Sequence, residues 1–161
     1  MNKKQIAIYT ITYNRLNYTK RLFDGLEQSI SEPYDHFIVD NGSTDGTVDF
    51  LKLKFPDLTH IIFNKENKGI ATAQNQALNL IGDSYKYIIK LDNDMEFITK
   101  NWITGLIEVS QKMKDNIVLS PYIDFGIKDD NLEKKLGIER TDRIHIAGHE
   151  LSYTKHVGGA V

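Results

Sequence analysis

The sequence predicts an α/β fold: a mostly parallel, twisted sheet with helices on both faces. Strand-like and helix-like segments alternate from Gln5 to Leu119. The connections between them are short, and three of the strand ends are polar clusters. Such alternation implies right-handed crossovers and a sheet covered on both sides. Length sets the scale, because 161 residues correspond to about one domain of ~100–200 residues. A single domain spanning residues 1–161 is therefore expected.

Gln5 to Thr12 reads as a buried strand rich in β-branched residues. From Leu16 to Ile30, Leu22, Phe23, Leu26 and Ile30 recur at helical spacing. His36 to Val39 is a second short strand. It closes in Asp40-Asn41-Gly42-Ser43-Thr44-Asp45-Gly46, whose residues favour turns and whose last polar side chains can cap a following helix. That helix runs to about Lys54 with Val48, Leu51 and Phe55 inward, and Pro56 stops it. Thr59 to Phe63 is the third strand. Gly69 then opens a helix whose inner face is Ile70, Ala73, Ala77 and Ile81. Tyr87 to Leu91 is the fourth strand and ends at Asp92-Asn93-Asp94. Thr99 caps a helix carrying Trp102, Leu106, Ile107 and Met113 on one face, which assigns Trp102 to packing. Ile117 to Leu119 is a fifth strand. Asp124 to Gly137 reads as a loop, with Lys128 to Lys135 a solvated face. Arg143 to Ala147 and Leu151 to Val157 form an antiparallel pair.

Composition removes whole classes of function. The formal net charge is −2, so no basic field exists to grip nucleic acid. The chain has no cysteine, which excludes disulfide frameworks, cysteine–zinc sites and thiol catalysis. No apolar run reaches the ~18–20 residues needed to span a bilayer. Ile6-Ala7-Ile8-Tyr9 after two lysines is interrupted too soon for a signal peptide. These readings together place the chain in the cytoplasm. No G-x-G-x-x-G, Walker loop or G-x-S-x-G is present, which disfavours dinucleotide oxidoreductases, P-loop hydrolases and α/β hydrolases.

In an open α/β sheet, ligands bind beyond the carboxyl ends of the strands. The polar ends Thr10 to Arg15, Asp40 to Gly46 and Asp92 to Glu96 are expected on one edge. Asp92 and Asp94, one residue apart past a rigid strand, can reach a hard cation and leave positions for water and phosphate oxygens. Oxygen ligands suit Mg2+ or Mn2+. His145 and His149 are four apart, but Gly148 and the alternating Ile144 and Ile146 favour strand and turn over a helical metal pair.

Four motifs in order resemble the family 2 glycosyltransferases of the GT-A fold. They are Thr12-Tyr13-Asn14-Arg15; Ile38-Val39-Asp40-Asn41-Gly42-Ser43-Thr44-Asp45-Gly46-Thr47; Asn67-Lys68-Gly69-Ile70-Ala71 with Ala73 and Asn75; and Leu91-Asp92-Asn93-Asp94. They cover roughly residues 5 to 110. His156-Val157-Gly158-Gly159-Ala160-Val161 looks like the strand preceding the family's acceptor-side segment.

The resemblance implies inverting transfer of a sugar from a nucleotide-diphosphate donor to an acceptor hydroxyl. The acceptor would be a sugar or glycoconjugate, as in surface polysaccharide synthesis. It places Thr12, Tyr13, Asn14, Arg15, Asp40, Asn41, Gly69, Asn75, Asp92 and Asn93 around the nucleotide. Thr12 and Tyr13 would border the base, Asp40 would accept a hydrogen bond from it, and Asp92 would face the ribose. Asp94, with Asp92 beside it, would hold the Mn2+ or Mg2+ that bridges the diphosphate. An Asp accepting from a ring N–H selects uridine over cytidine, so UDP-sugar is the expected donor.

The sequence also departs from the family. Gln74 stands where members often carry an arginine, and Lys68 or the metal would compensate. The family's catalytic base lies past the Gly-Gly strand, beyond Val161, so the resemblance implies the donor-binding part of a larger domain. A nucleotide-sugar-binding module without turnover is the competing reading. A sugar nucleotidyltransferase would show a glycine-rich loop after the first strand, and a response regulator an acidic pair there. Neither feature is present.

Overall fold

The computed structural model describes residues 5–97, 100–112, 140–146 and 149–154. Thr99, Met113, the strand at Ile117–Leu119, the segment 124–137 and the end His156–Val161 lie outside the described residues. The chain divides into two compact units between Asn101 and Trp102.

The first unit is an all-parallel, four-stranded sheet with its helices. In chain order the elements are β1 (Ile6–Thr12), α1 (Leu16–Ser29), β2 (Tyr34–Asp40), α2 (Thr47–Lys54), β3 (Ile61–Phe63), α3 (Ile70–Ile81) and β4 (Tyr87–Asp92). The strand order is β3-β2-β1-β4. Thr12 lies opposite Asp40, Asp40 opposite Phe63, and Ile11 opposite Asp92. All four strands therefore end on one edge, as their polar termini predict. The chain steps outward from β1 to β3, then returns to the other side of β1. The topological switch lies between β1 and β4, where open sheets of this type hold ligands.

Alternation along the strands builds two cores. Ala7, Tyr9, Phe37 and Val39 face Ala73, Ala77 and Ile81 of α3. On the opposite face Ile38 packs with Phe23 of α1 and Leu51 of α2. Phe23 meets Phe55 edge-on at 5.2 Å. Fully burying a side chain of this size stabilises the fold by roughly 1.5–3 kcal/mol. Helices thus cover both faces, and the sheet ends are held rigidly enough to carry a site.

Several element boundaries differ from the expectation. β2 begins at Tyr34, not His36, because its ladder with β1 runs back to Ile6 opposite Tyr34. β3 is shorter: the Thr59 N–H donates to Asp57 Oδ1 at 3.0 Å, which spends Thr59 in a turn. Val48 is half-buried, and Thr47 and Leu51 are the buried positions of α2. Ile70, expected inward, is 56% exposed. It occupies the first position of α3, one turn before the buried Ala73.

In the second unit, α4 (Trp102–Lys112) buries Ile103 and Val109, while Trp102, Leu106 and Ile107 are half-buried. β5 (Arg140–Ile146) and β6 (His149–Thr154) form an antiparallel pair, with His145 opposite Glu150 and Ile146 opposite His149. His145 and His149 are therefore strand residues, as their alternating neighbours predict. Among the described residues, no helix is long and apolar enough to cross a membrane.

Candidate functional site

The β1–α1 turn sets the geometry of the carboxyl edge. Asn14 and Arg15 both have left-handed backbone, with φ of 56° and 60°. For an L-residue this costs roughly 1–2 kcal/mol each, and it persists only where surrounding bonds over-determine it. Here they do. The Asn14 N–H donates to Ser43 Oγ at 2.7 Å, and the Thr44 N–H donates to Asn14 Oδ1 at 2.8 Å. Asn93 Nδ2 reaches the Asn14 carbonyl at 3.4 Å and Thr19 Oγ1 at 3.3 Å. Three loops are tied together through Asn14.

Asp45 completes the clamp. Its Oδ2 accepts the Leu16 N–H at 2.8 Å, and its Oδ1 accepts the Thr47 N–H at 3.1 Å and the Thr47 hydroxyl at 2.6 Å. Neither α1 nor α2 has a side-chain cap from its own N-cap residue, Arg15 or Gly46. One carboxylate therefore caps two helices. Burial pushes its pKa up, but the hydrogen bonds from Thr47 and Leu16 outweigh this and hold it below the ordinary value.

Asp40 is fully buried and organises the neighbouring loop. It accepts from Thr12 Oγ1 at 2.8 Å, Ser43 Oγ at 2.6 Å, the Ser43 N–H at 2.9 Å and the Gly42 N–H at 3.2 Å. These four bonds fix the carboxylate at the carboxyl end of β2. Thr12, also buried, is its donor. Gly42 is required beside it, with φ +86° and a Cβ that would fall 2.7 Å from the Glu66 backbone carbon.

Asn41 likewise turns inward. Its Oδ1 accepts from the Lys68 N–H at 3.0 Å and Asn64 Nδ2 at 3.1 Å. Its Nδ2 donates to Asn67 Oδ1 at 2.8 Å and, more weakly, to the Gly69 carbonyl at 3.4 Å. Asn64 and Gln76 complete the network by exchanging amide hydrogen bonds at 2.8 and 3.0 Å. This buried amide network fixes the loop that leads into α3 at the site's edge. Gly69, with φ +81°, sits there in open space. Asn75 is exposed on α3.

At the edge itself, Tyr13 is exposed. Arg15 Nη1 donates to Asp94 Oδ2 at 2.6 Å across the gap between β1 and β4. Lys90 Nζ donates to Asp92 Oδ1, also at 2.6 Å. Arg21 pairs with Glu96 at 3.1 Å. Buried Tyr9 is pushed above its ordinary pKa by desolvation and then by the charge of Asp92. Asp92 and Asp94 therefore stand at the switch point as exposed carboxylates, each held by one cation of the chain. Among the described residues, no three acidic or histidine side chains converge to hold a metal alone. Mg2+ and Mn2+ need no such cage, since one or two carboxylates, phosphate oxygens and water suffice. The donor set fits that pattern of binding.

The structure thus gathers Thr12, Tyr13, Asn14, Arg15, Asp40, Asn41, Gly69, Asp92, Asn93 and Asp94 on the loops of one edge. Several of them hold the edge together and do not point from it. Ser43, Thr44 and Asp45, which lie inside the second motif without a role of their own there, emerge as supports, as do Asn64 and Gln76, which lie outside every motif. The last polar residues of that motif carried a prior signal as caps of the following helix. A cavity of about 350 Å³, lined by Phe23, Tyr34, His36, Phe55 and His60 among others, lies at the amino-terminal end of β2, away from this edge.

The sequence pattern of the family described as Glycosyl transferase family 2 matches residues 7–156. TuaG of Bacillus subtilis, a glycosyltransferase provisionally named for teichuronic acid biosynthesis, is 31% identical over 94 residues, covering 57% of this chain and 36% of TuaG. The SPbeta prophage-derived glycosyltransferase SunS of Bacillus subtilis is 28% identical over 114 residues, 71% of this chain and 26% of SunS. The chain therefore spans about a third or less of these relatives. The mannosyltransferase PcManGT of Pyrobaculum calidifontis, solved with GDP-Man and Mn2+, superposes with a TM-score of 0.54 at 23% identity. That match covers 64% of this chain and 31% of PcManGT, and it shows a shared fold.

Proposed function

Because the chain belongs to glycosyl transferase family 2, we propose that its carboxyl edge binds the nucleoside diphosphate of a sugar donor for inverting transfer to an acceptor hydroxyl. The observation that carries this reading is the pair of exposed carboxylates at the switch point between β1 and β4, Asp94 against Arg15 and Asp92 against Lys90. Asp94, with Asp92 beside it, would hold Mn2+ or Mg2+, and such an ion acts as a Lewis acid on the leaving diphosphate. Mn2+ in the PcManGT complex supports a metal of this kind. Tyr13, an exposed ring at this edge, would lie against the base, and Arg15 would meet phosphate oxygens.

Five carboxylates near this edge, Asp40, Asp45, Asp92, Asp94 and Glu96, are each engaged by a hydrogen-bond or ion-pair partner. None is assigned as the base that deprotonates the acceptor. The acceptor belongs to the sugar or glycoconjugate class.

UDP is the proposed donor nucleotide, with the Asp40 carboxylate as the acceptor that favours the N–H of uracil over the unprotonated ring nitrogen of cytosine. The test is a calorimetric panel of UDP, GDP and dTDP at saturating Mn2+. UDP binding tightest supports the proposal, and GDP or dTDP binding much tighter than UDP overturns the uridine assignment. No binding of any nucleotide overturns the donor-site reading.

A further inference from the structure

The crevice between β1 and β4 already contains a cation of the chain's own. Arg15 Nη1 lies 2.6 Å from Asp94 Oδ2, with the two side chains 60% and 43% exposed. The backbone beneath this guanidinium is fixed. Asn14 is tied to Ser43 and Thr44, the Leu16 N–H is bound by Asp45, and the Arg15 carbonyl accepts from both Tyr18 and Thr19. A left-handed residue so constrained has one freedom left, the swing of its side chain. The pair is solvent-exposed and made through a single nitrogen, which is a weak and exchangeable contact. A bidentate buried clamp would hold far harder.

Charge gives the pair a consequence. Asp92 and Asp94 are balanced by Lys90 and Arg15, so these four side chains together are neutral. A divalent ion taking Asp94 leaves a surplus of two positive charges, one of them on the displaced guanidinium, and a diphosphate would neutralise that surplus. We infer that Arg15 is the resident counter-cation of Asp94: a divalent metal and the guanidinium compete for that carboxylate, and the displaced guanidinium serves the donor's diphosphate. The inference rests on the reading of Asp94 as a metal ligand. It makes metal and nucleotide mutually dependent, because each removes a charge penalty that the other creates.

The test measures Mn2+ binding to the chain by electron paramagnetic resonance, then UDP binding at saturating Mn2+ by calorimetry. Arg15→Ala removes the side chain, and Arg15→Gly does so while accepting the positive φ, so that misfolding of one variant does not decide the matter. Exposed ion pairs hold by a few-fold in equilibrium constant. Both variants are therefore expected to bind Mn2+ alone roughly two- to fivefold more tightly. The same variants should bind UDP at least about fivefold more weakly, since a charge-assisted phosphate contact is lost.

Arg21→Ala removes a nearby cation that pairs elsewhere, with Glu96, and should change neither titration. Unchanged or weaker Mn2+ binding in the Arg15 variants, with Asp94→Asn still impairing it, overturns the competition and leaves Asp94 as the ligand. Arg21→Ala tightening Mn2+ as much as Arg15→Ala also overturns it, because the effect would then be unspecific. Mn2+ binding unaffected by Asp94→Asn, or absent in every variant with and without UDP, overturns the metal reading and this inference with it.

Discussion

Replacing Asp45 should cost stability twice over, because one carboxylate caps two helices. Its Oδ2 satisfies the first N–H of α1, and its Oδ1 satisfies the first N–H and the hydroxyl of Thr47 in α2. Loss of one capping acceptor costs about 1 kcal/mol, so Asp45→Ala should cost about 2 kcal/mol. Asp45→Asn keeps one acceptor oxygen and turns the other into a donor that cannot serve an N–H, so about 1 kcal/mol is expected. In a domain of this size, 2 kcal/mol lowers Tm by roughly 4–8 °C.

The folded pKa of Asp45 is depressed. Its contribution is therefore present above the unfolded carboxylate pKa and is lost as pH falls through the folded one. Urea unfolding followed by far-UV circular dichroism measures the effect. A loss under about 0.5 kcal/mol for Asp45→Ala, or an Asp45→Asn variant as stable as wild type, would refute the shared-cap reasoning.

Two further outcomes follow from the packing. Gly42→Ala combines a positive φ with a Cβ 2.7 Å from the Glu66 backbone, and should cost about 2–4 kcal/mol in the same urea assay. His36 is enclosed by Phe23, Tyr34 and Phe55, and burial lowers its pKa to about 3. Its folded state prefers the neutral ring, so stability should fall as pH drops from about 6.5, where the unfolded histidine takes a proton, to about 3. The fall should be clear between about pH 6.5 and about pH 4.5, above the range where carboxylates such as Asp45 take protons, and be absent there in His36→Phe. Equal pH profiles for the two proteins would contradict the assignment.

Much of the fold was legible because its signals are local. Period-2 and period-3.6 patterns located the strands and helices of the first unit, and register then forced Thr12, Asp40 and Asp92 to one edge. Ile70 lies on the periodic face yet is exposed, because periodicity identifies a helix face but not how far along the helix that face is covered. The motifs mark the edge on which Thr12, Asp40 and Asp92 come together, yet they do not distinguish exposed side chains from those that hold the loops. Asp40 and Asn41 look equally available in sequence. Only packing shows the first bonded to Thr12, Gly42 and Ser43, and the second spent on Asn64, Asn67, Lys68 and Gly69. The Arg15–Asp94 pair joins residues 79 apart and had no sequence signature at all.

The central claim is that the edge carrying Asp94 is a metal-dependent nucleoside-diphosphate site. Calorimetric titration of UDP with and without Mn2+, on wild type and Asp94→Ala, tests it most directly. The account predicts binding that requires Mn2+ and is lost in Asp94→Ala while the circular dichroism spectrum is unchanged. UDP binding of equal strength without metal, or equal in Asp94→Ala, would contradict it.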